Sequence, residues 1–287
     1  MPHRVTLIPG DGIGPEVVEG ARRAIEATGV TIEWDLRHMG SGAFSRTGKA
    51  LPAGTIDSIR ENRVALKGPV DTPVTSGLRN VNVTLRQELD LYANVRPCRL
   101  YPGVPSLYER VDLVVVRENT EDMYTGFEFE MGTVATKELI RFIEGATGLK
   151  IREDSGLSIK AISQQGSERI VRFAFDWARE HGRHTVTAGH KANIMKFSDG
   201  LFLEVARRLA TACAAELGAR CHPHAADEPG TELRRDVAVE VRQHDDVEAV
   251  GRLDQLHRQS VDDAVLEPDV RVPCRKAPRH LQEQPVG

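Results

Sequence analysis

Five short apolar runs alternate with segments of helical period along the first two thirds of this chain. The runs are "RVTLI" (4–8), "VTIEW" (30–34), "VALKG" (64–68), "DLVVV" (112–116) and "HTVTAG" (184–189). The helical segments cover Pro15 to Thr28, Gly54 to Glu61, Asn82 to Leu89 and Ser167 to His181. Parallel strands need a crossover between them, and a helix is the usual one, so this alternation predicts an α/β fold with a largely parallel, layered sheet. One stretch breaks the rhythm. "ELIRFIEGATGLKIREDSGLSIKAI" (138–162) has strand-like pieces that predict an antiparallel clasp or arm.

The first strand runs into "PGDGIGPE", with glycines at 10, 12 and 14. Pro15 suits a first helical position, where its missing N–H costs nothing. Val17, Val18, Ala21, Ala24 and Ile25 then form one apolar helical face. The segment is therefore strand, tight turn, helix. Its G-x-G-x-G-P spacing differs from the G-x-G-x-x-G of dinucleotide-binding turns, and taken alone it leaves phosphate binding open.

A chain of 287 residues suffices for one large or two ordinary domains. Its net charge of −4, with both signs interspersed, gives no footprint for nucleic acid or an anionic membrane. No run approaches the roughly 18 apolar residues of a membrane span, and the first residues lead straight into a strand, so no leader is expected. The four cysteines (Cys98, Cys213, Cys221, Cys274) lack disulfide-framework spacing, which predicts a cytoplasmic location. Composition changes abruptly late in the chain. All 14 Phe, Trp and Tyr residues lie at or before Phe202, and the final 85 residues also lack Ile, Met and Asn. Such a stretch has little large apolar surface to offset the entropy of ordering it.

Three segments concentrate cations among aromatics, prolines and amides. They are "KGPVDTPVTSGLRNVNVTLRQELDLYANVRP" (67–97), "VVVRENTEDMYTG" (114–126) and "HKANIMKFSDG" (190–200). Arg86 and Arg96 lie in the first, Arg117 directly follows an apolar strand in the second, and Lys191 follows a strand in the third. Polar residues just past strand ends line the crevice of open α/β sheets. Several guanidinium groups there suit a substrate with more than one carboxylate. Ordinary surface arginines in ion pairs are the alternative.

Taken together, "GDGIGPE", "KGP…TP", "LRQELDLYANVRP", "RENTEDMYTG" and "HKANIMKFSDG" resemble the metal-dependent β-decarboxylating dehydrogenases, the isocitrate/isopropylmalate dehydrogenase family. They stand in family order and at family spacing over residues 1 to about 208. The resemblance implies a layered fold distinct from the classical Rossmann fold, in which GDGIGP is a sheet-edge turn. It implies NAD or NADP and Mg²⁺ or Mn²⁺ as cofactors. Arg86, Arg96 and Arg117 would hold substrate carboxylates, with Asn80, Asn82 and Asn193 also at the substrate. Lys67 and Thr72 would lie by the nicotinamide cofactor. Tyr124 would protonate the enol after CO₂ leaves. Lys191 would assist removal of the hydroxyl proton, reaching the site from the partner subunit of a homodimer or higher oligomer. "PVTSGLRNVNVTLRQ" resembles the isocitrate type, with Asn80 where most such enzymes carry Ser or Thr. Isocitrate is thus the expected substrate. Isopropylmalate, homoisocitrate or tartrate, or a non-catalytic regulatory subunit, are the other readings. Retention of Tyr124 and Lys191 argues against a regulatory subunit.

The same resemblance divides the chain into residues 1–100 (part of a large α/β domain), 101–210 (a small domain with the clasp) and an aberrant tail, 211–287. The family's metal aspartates and adenosine loop have no counterpart in the tail, so no metal ligand is assigned and the chain as written is expected to be inactive and disordered there. "CHPHAADE" (221–228) matches no standard metal-site spacing. Read backwards with complementary codons, Asp227 to Gly218, Val241 to Asp236 and Glu248 to His244 permit the family's missing motifs in register. This points to an inverted or antisense reading of the family's C-terminus.

Overall fold

The computed structural model describes residues 2–71, 80–183, 185–216, 222–224, 236–240 and 269–273. The chain divides into two compact units, Met1–Tyr92 and Ala93–Gly287.

In the first unit, β1 (His3–Ile8) is flanked by β2 (Ile32–Leu36) and β3 (Ala65–Lys67) in a parallel sheet of order β2-β1-β3. Leu7 pairs with Leu36 on one side and Leu66 on the other. Val5 to Ile8 are all buried, as expected of a central parallel strand covered on both faces. Helices α1 (Gly14–Glu26), α2 (Ser41–Thr47), α3 (Ala53–Asn62) and α4 (Val81–Glu88) complete the unit. Ile8, Met39, Val81 and Leu85 form its buried apolar centre. The one buried polar position in β1, Thr6, is satisfied, with Ser58 at 2.8 Å and the Asn62 amide donating to it at 2.9 Å.

The second unit contains β4 (Ala93–Arg99), β5 (Asp112–Glu118), β6 (Glu128–Phe129), α5 (Val134–Thr147), β7 (Leu157–Ser158), α6 (Gln164–Glu180), β8 (Thr185–Gly189) and α7 (Asp199–Glu216). Three further strands follow, β9 (His222–His224), β10 (Asp236–Glu240) and β11 (Asp269–Pro273). The main sheet runs β4-β5-β10-β8-β11-β9, with β5, β10 and β8 mutually parallel and β4 antiparallel at the edge. Pro97 sits in β4, and an edge strand is where a residue without an N–H is tolerated. One face of α6 buries Ile170, Val171, Ala174, Phe175 and Ala178, and α7 buries Phe202, Leu203, Val205, Ala206, Leu209 and Ala210. Among the described residues no helix is long and apolar enough to cross a membrane.

One expectation changes. Residues 138–162 are not mainly strand, because their first part lies in α5. Thr133 caps that helix by accepting the Thr136 N–H, and Gly148 closes it at φ +73. The β-branched isoleucines in the segment mimic a strand, while the two caps fix a helix. An antiparallel pairing does occur on either side of α5, between β6 and β7, where Phe129 faces Leu157. Helix α7 ends at Glu216, and of the tail beyond it the described segment Asp236–Glu240 pairs with β5 and β8. The facing edges of those two strands are thereby paired rather than open. The sequence "DVAVE" has three consecutive small apolar residues, enough for a short inner strand without aromatics.

Candidate active site

Strand β5 delivers two charged residues, Arg117 and Glu118, into a buried position at its C-terminal end. The Glu118 carboxylate accepts the backbone N–H groups of Thr120 and Glu121, each at 2.7 Å, and so turns the chain. Glu121 then accepts the Ser163 N–H at 2.8 Å and its hydroxyl, at the start of α6. A carboxylate is favoured beside a helix N-terminus, where N–H groups lack intrahelical partners. Asp122 follows at φ +61 and donates its N–H to Ala161 O at 2.9 Å. It opens a 3₁₀ turn, Met123–Thr125, and that turn presents Tyr124.

Arg117 and Tyr124 meet. An Arg117 Nη2–H donates to the phenolic oxygen, and the guanidinium carbon lies 4.5 Å from the ring centroid. In the antiparallel β4–β5 register, Asn94 opposes Arg117 and Arg96 opposes Val115. Paired residues and residues two apart share a face, so Asn94, Arg96 and Arg117 project from the same side of the sheet. Arg96 Nε donates to Asn94 Oδ1 at 3.4 Å. The structure thus brings Arg117 and Tyr124 into contact and places Arg96 on the same sheet face as Arg117.

Lys191 leaves the same end of the sheet two strands away. Arg117 is in register with Glu240 of β10, and Glu240 with Gly189 of β8. Lys191 and Asn193 both lie exposed in the loop that follows β8. The Lys191 backbone N–H donates to Asp199 Oδ1 at 3.2 Å. Between the Tyr124 turn and the Lys191 loop stands Lys160, whose ammonium lies 3.0 Å from Asp199 Oδ2 and 3.6 Å from Asp122 Oδ1. The Asp199 side chain has 0% exposure and that of Asp122 10%. Burial pushes the Asp122 carboxyl above the usual carboxylate range; Lys160 opposes that rise and the charge of Asp199 adds to it. Asp122 and Asp199 lie inside the quoted motifs and Lys160 inside the 138–162 segment, but the sequence alone assigns none of the three a role. No local spacing connects these three residues.

In the first unit the opening turn is built by close backbone approach. A Cβ at Gly10, where φ is +80, would stand 1.9 Å from Pro69 O. The Asp11 carboxylate takes three backbone N–H groups, from Ser41 (2.9 Å), Gly42 (2.9 Å) and Asp71 (3.1 Å). Burial pushes its carboxyl up, but the bonds from Gly42, Ser41 and Asp71 outweigh it and hold it below the usual range. The turn is therefore occupied by the chain's own carboxylate. Lys67, at the end of β3, donates to Gly68 O at 2.7 Å. Burial pushes its ammonium below the usual lysine range, the charge of Arg86 adds to the fall, and Asp11 opposes it. Asn80 caps α4: its Oδ1 accepts the N–H groups of Asn82 (2.9 Å) and Val83 (3.4 Å), which leaves the amide Nδ2 as its donor. Asn82 Oδ1 is buried and makes no hydrogen bond among the described residues. Thr72 lies outside the described residues.

Among the described residues no three His, Cys, Asp or Glu side chains are grouped to hold a metal ion. Asp245 and Asp246 lie outside them, as does the side chain of Asp236. The described side chains therefore do not by themselves fit a divalent metal.

The family model described as isocitrate/isopropylmalate dehydrogenase matches residues 4–236, well into the tail. The NADP-type isocitrate dehydrogenase of Staphylococcus aureus is 46% identical over 211 residues, covering 69% of this chain and 50% of that protein. An Arabidopsis thaliana mitochondrial protein, catalytic subunit 5 of the NAD-type isocitrate dehydrogenase, is 43% identical over 209 residues, covering 73% of this chain and 50% of its own length. The crystal structure of isocitrate dehydrogenase from Methylococcus capsulatus superposes with a TM-score of 0.66 at 42% identity, covering 84% of this chain and 67% of that one. The chain spans about half the length of the curated relatives it matches.

Proposed function

The chain belongs to the isocitrate/isopropylmalate dehydrogenase family, and from that premise we propose that its sheet-end residues are the substrate and proton-transfer groups of an isocitrate dehydrogenase. The reaction is oxidation of isocitrate at C2 by NAD or NADP, followed by loss of the β-carboxylate as CO₂ and protonation at C3 to give 2-oxoglutarate. Hydride leaves C2 for the nicotinamide, and the hydroxyl proton leaves with the help of Lys191. The bond to the departing carboxylate leaves its electrons at C3, and Tyr124 supplies the proton there.

The contact between Arg117 and Tyr124 carries this reading. The phenolic oxygen accepts from the guanidinium, so the proton on that oxygen is the one the group can give. The adjacent positive charge then offsets the negative charge left behind. Arg117 has five N–H donors in a planar fork, and one bond to Tyr124 leaves others for a substrate carboxylate. A single residue thereby holds substrate and aims the acid. Arg96 on the same sheet face and Arg86 supply the further cations that a tricarboxylate calls for, and the Asn80 amide supplies a donor toward the third carboxylate. Lys67 and Thr72 are the cofactor-side residues of this reading, and Lys191 serves the site of a partner copy. The family reading also brings Mg²⁺ or Mn²⁺, whose ligands the described residues do not supply. The 287-residue chain is therefore expected to be inactive alone.

The test measures NAD(P)H formation from isocitrate with Mg²⁺ or Mn²⁺, using the chain as it stands and the chain with residues 212–287 replaced by a family C-terminus. The expected result is no turnover from the first and restored turnover from the second. Robust activity of the unmodified chain would overturn the inactivity claim. A well-folded replacement that turns over isopropylmalate or tartrate but not isocitrate would overturn the substrate assignment.

A further inference from the structure

We propose that Lys160 is a positioning residue that clamps the Tyr124 turn and the Lys191 loop into one rigid frame, through Asp122 on one side and Asp199 on the other. The proposal rests on the function above only for the roles of Tyr124 and Lys191. The clamp itself stands on geometry.

Its links form a continuous chain. The turn that presents Tyr124 begins at Asp122, whose N–H is fixed to Ala161 O at 2.9 Å, the residue next to Lys160. The Asp122 side chain faces the Lys160 ammonium at 3.6 Å. That ammonium donates to Asp199 Oδ2 at 3.0 Å and lies 3.8 Å from Met195 Sδ. Asp199 Oδ1 in turn receives the backbone N–H of Lys191 at 3.2 Å. The carboxylate of Asp199 thus spends one oxygen on Lys160 and the other on the Lys191 backbone. Asp199 also begins α7, so the frame ends on an 18-residue helix.

The charges make this arrangement cooperative. Two carboxylates with little exposure face a single ammonium. A buried charge is tolerated only when paired, and removing one partner leaves the others uncompensated. Without Lys160, Asp122 and Asp199 would repel each other across the gap it fills, and both flanking segments would shift outward toward water. A general acid and a proton-abstracting group must each be held within about 0.5 Å of their working positions. One cation serving both supports gives the fold a way to set them together. If Lys191 serves a partner's site, the clamp links the acid of one site to the lysine of the next.

Backbone hydrogen exchange of the full 287-residue chain tests this without requiring turnover. Lys160→Met is expected to speed exchange about tenfold or more in residues 121–126 and in 190–199 together, with the buried face of α6 unchanged. Lys160→Arg, which keeps the cation, should restore slow exchange in both segments. The double variant Lys160→Met/Asp122→Asn removes one cation and one anion, so it stays foldable if the single variant does not. In it the rise should be confined to 190–199, where Asp199 alone is left unpaired. Unchanged exchange in either segment of Lys160→Met, a rise spread evenly over β5 and α6, or failure of Lys160→Arg to rescue would overturn the clamp. None of these outcomes depends on whether isocitrate is the substrate.

Discussion

The turn after β1 and the turn after β5 both end a buried parallel strand, but they are made of different materials. Pro9–Gly14 is built from backbone: Gly10 and Gly14 let peptide groups touch, and one carboxylate, Asp11, ties three N–H groups, two from the start of α2 and one from Asp71 after β3. Glu118–Tyr124 is built from side chains. Glu118 caps its own turn, Glu121 sits on α6, and Asp122 reaches Lys160. The first arrangement fixes a position and commits its one titratable group, Asp11, to backbone N–H groups. The second delivers an arginine and a tyrosine into contact while its acidic residues hold the support. Glycine-rich sequence here marks scaffolding, and the charged turn is the reacting end in the proposed function.

Stability measurements separate the two turns, and the largest effect belongs to the backbone turn. Gly10→Ala should cost about 3 kcal/mol or more, because its Cβ would collide with Pro69 O in a left-handed conformation. Gly12→Ala shares a positive φ but has open space around it and should cost only about 1 kcal/mol. Urea unfolding of the two variants decides this. Equal losses would mean that strain rather than contact governs the turn.

The carboxylates should titrate with opposite signs. Asp11 has a depressed value, so its contribution is full above the ordinary carboxylate range and is lost as pH falls through that depressed value. Asp11→Asn should cost about 1–2 kcal/mol at neutral pH, with the difference vanishing in acid. Asp122 has a raised value. Its folded form holds the proton more tightly than the unfolded chain does, so stability declines as pH rises through the raised value. Asp122→Asn should remove that decline. Unfolding midpoints across pH 3 to 8 check both signs, and a common sign would erase the contrast between the turns. The smallest effect is at α4. Asn80→Ala should cost about 1 kcal/mol by loss of the cap, and Asn80→Ser almost nothing, since serine caps as well.

Much of this was legible in the sequence wherever period or motif acts locally. The five apolar runs overlap β1, β2, β3, β5 and β8, and the four helical segments overlap α1, α3, α4 and α6. What escaped depends on distant partners. Helix α2 is a short element whose first N–H groups are satisfied by Asp11, 30 and 31 positions away. Strand β4 contains Pro97, which argues against a strand until its edge position is known. At the site, the contact between Arg117 and Tyr124 joins two residues seven apart within one motif. Lys160 meets Asp199 from 39 positions away, and a lone lysine in a short polar loop carries no signal of that.

In the proposed function Tyr124, held by Arg117, donates a proton in isocitrate turnover. The most direct test of that role is the steady-state kinetics of Tyr124→Phe in the chain whose residues 212–287 are replaced by a family C-terminus. General acid catalysis contributes roughly 10²–10⁴ in rate. A fall of about that size in kcat is expected, with KM for isocitrate changed little, because arginines hold the carboxylates in this reading. An unchanged kcat with a much raised KM would contradict it and make Tyr124 a binding residue.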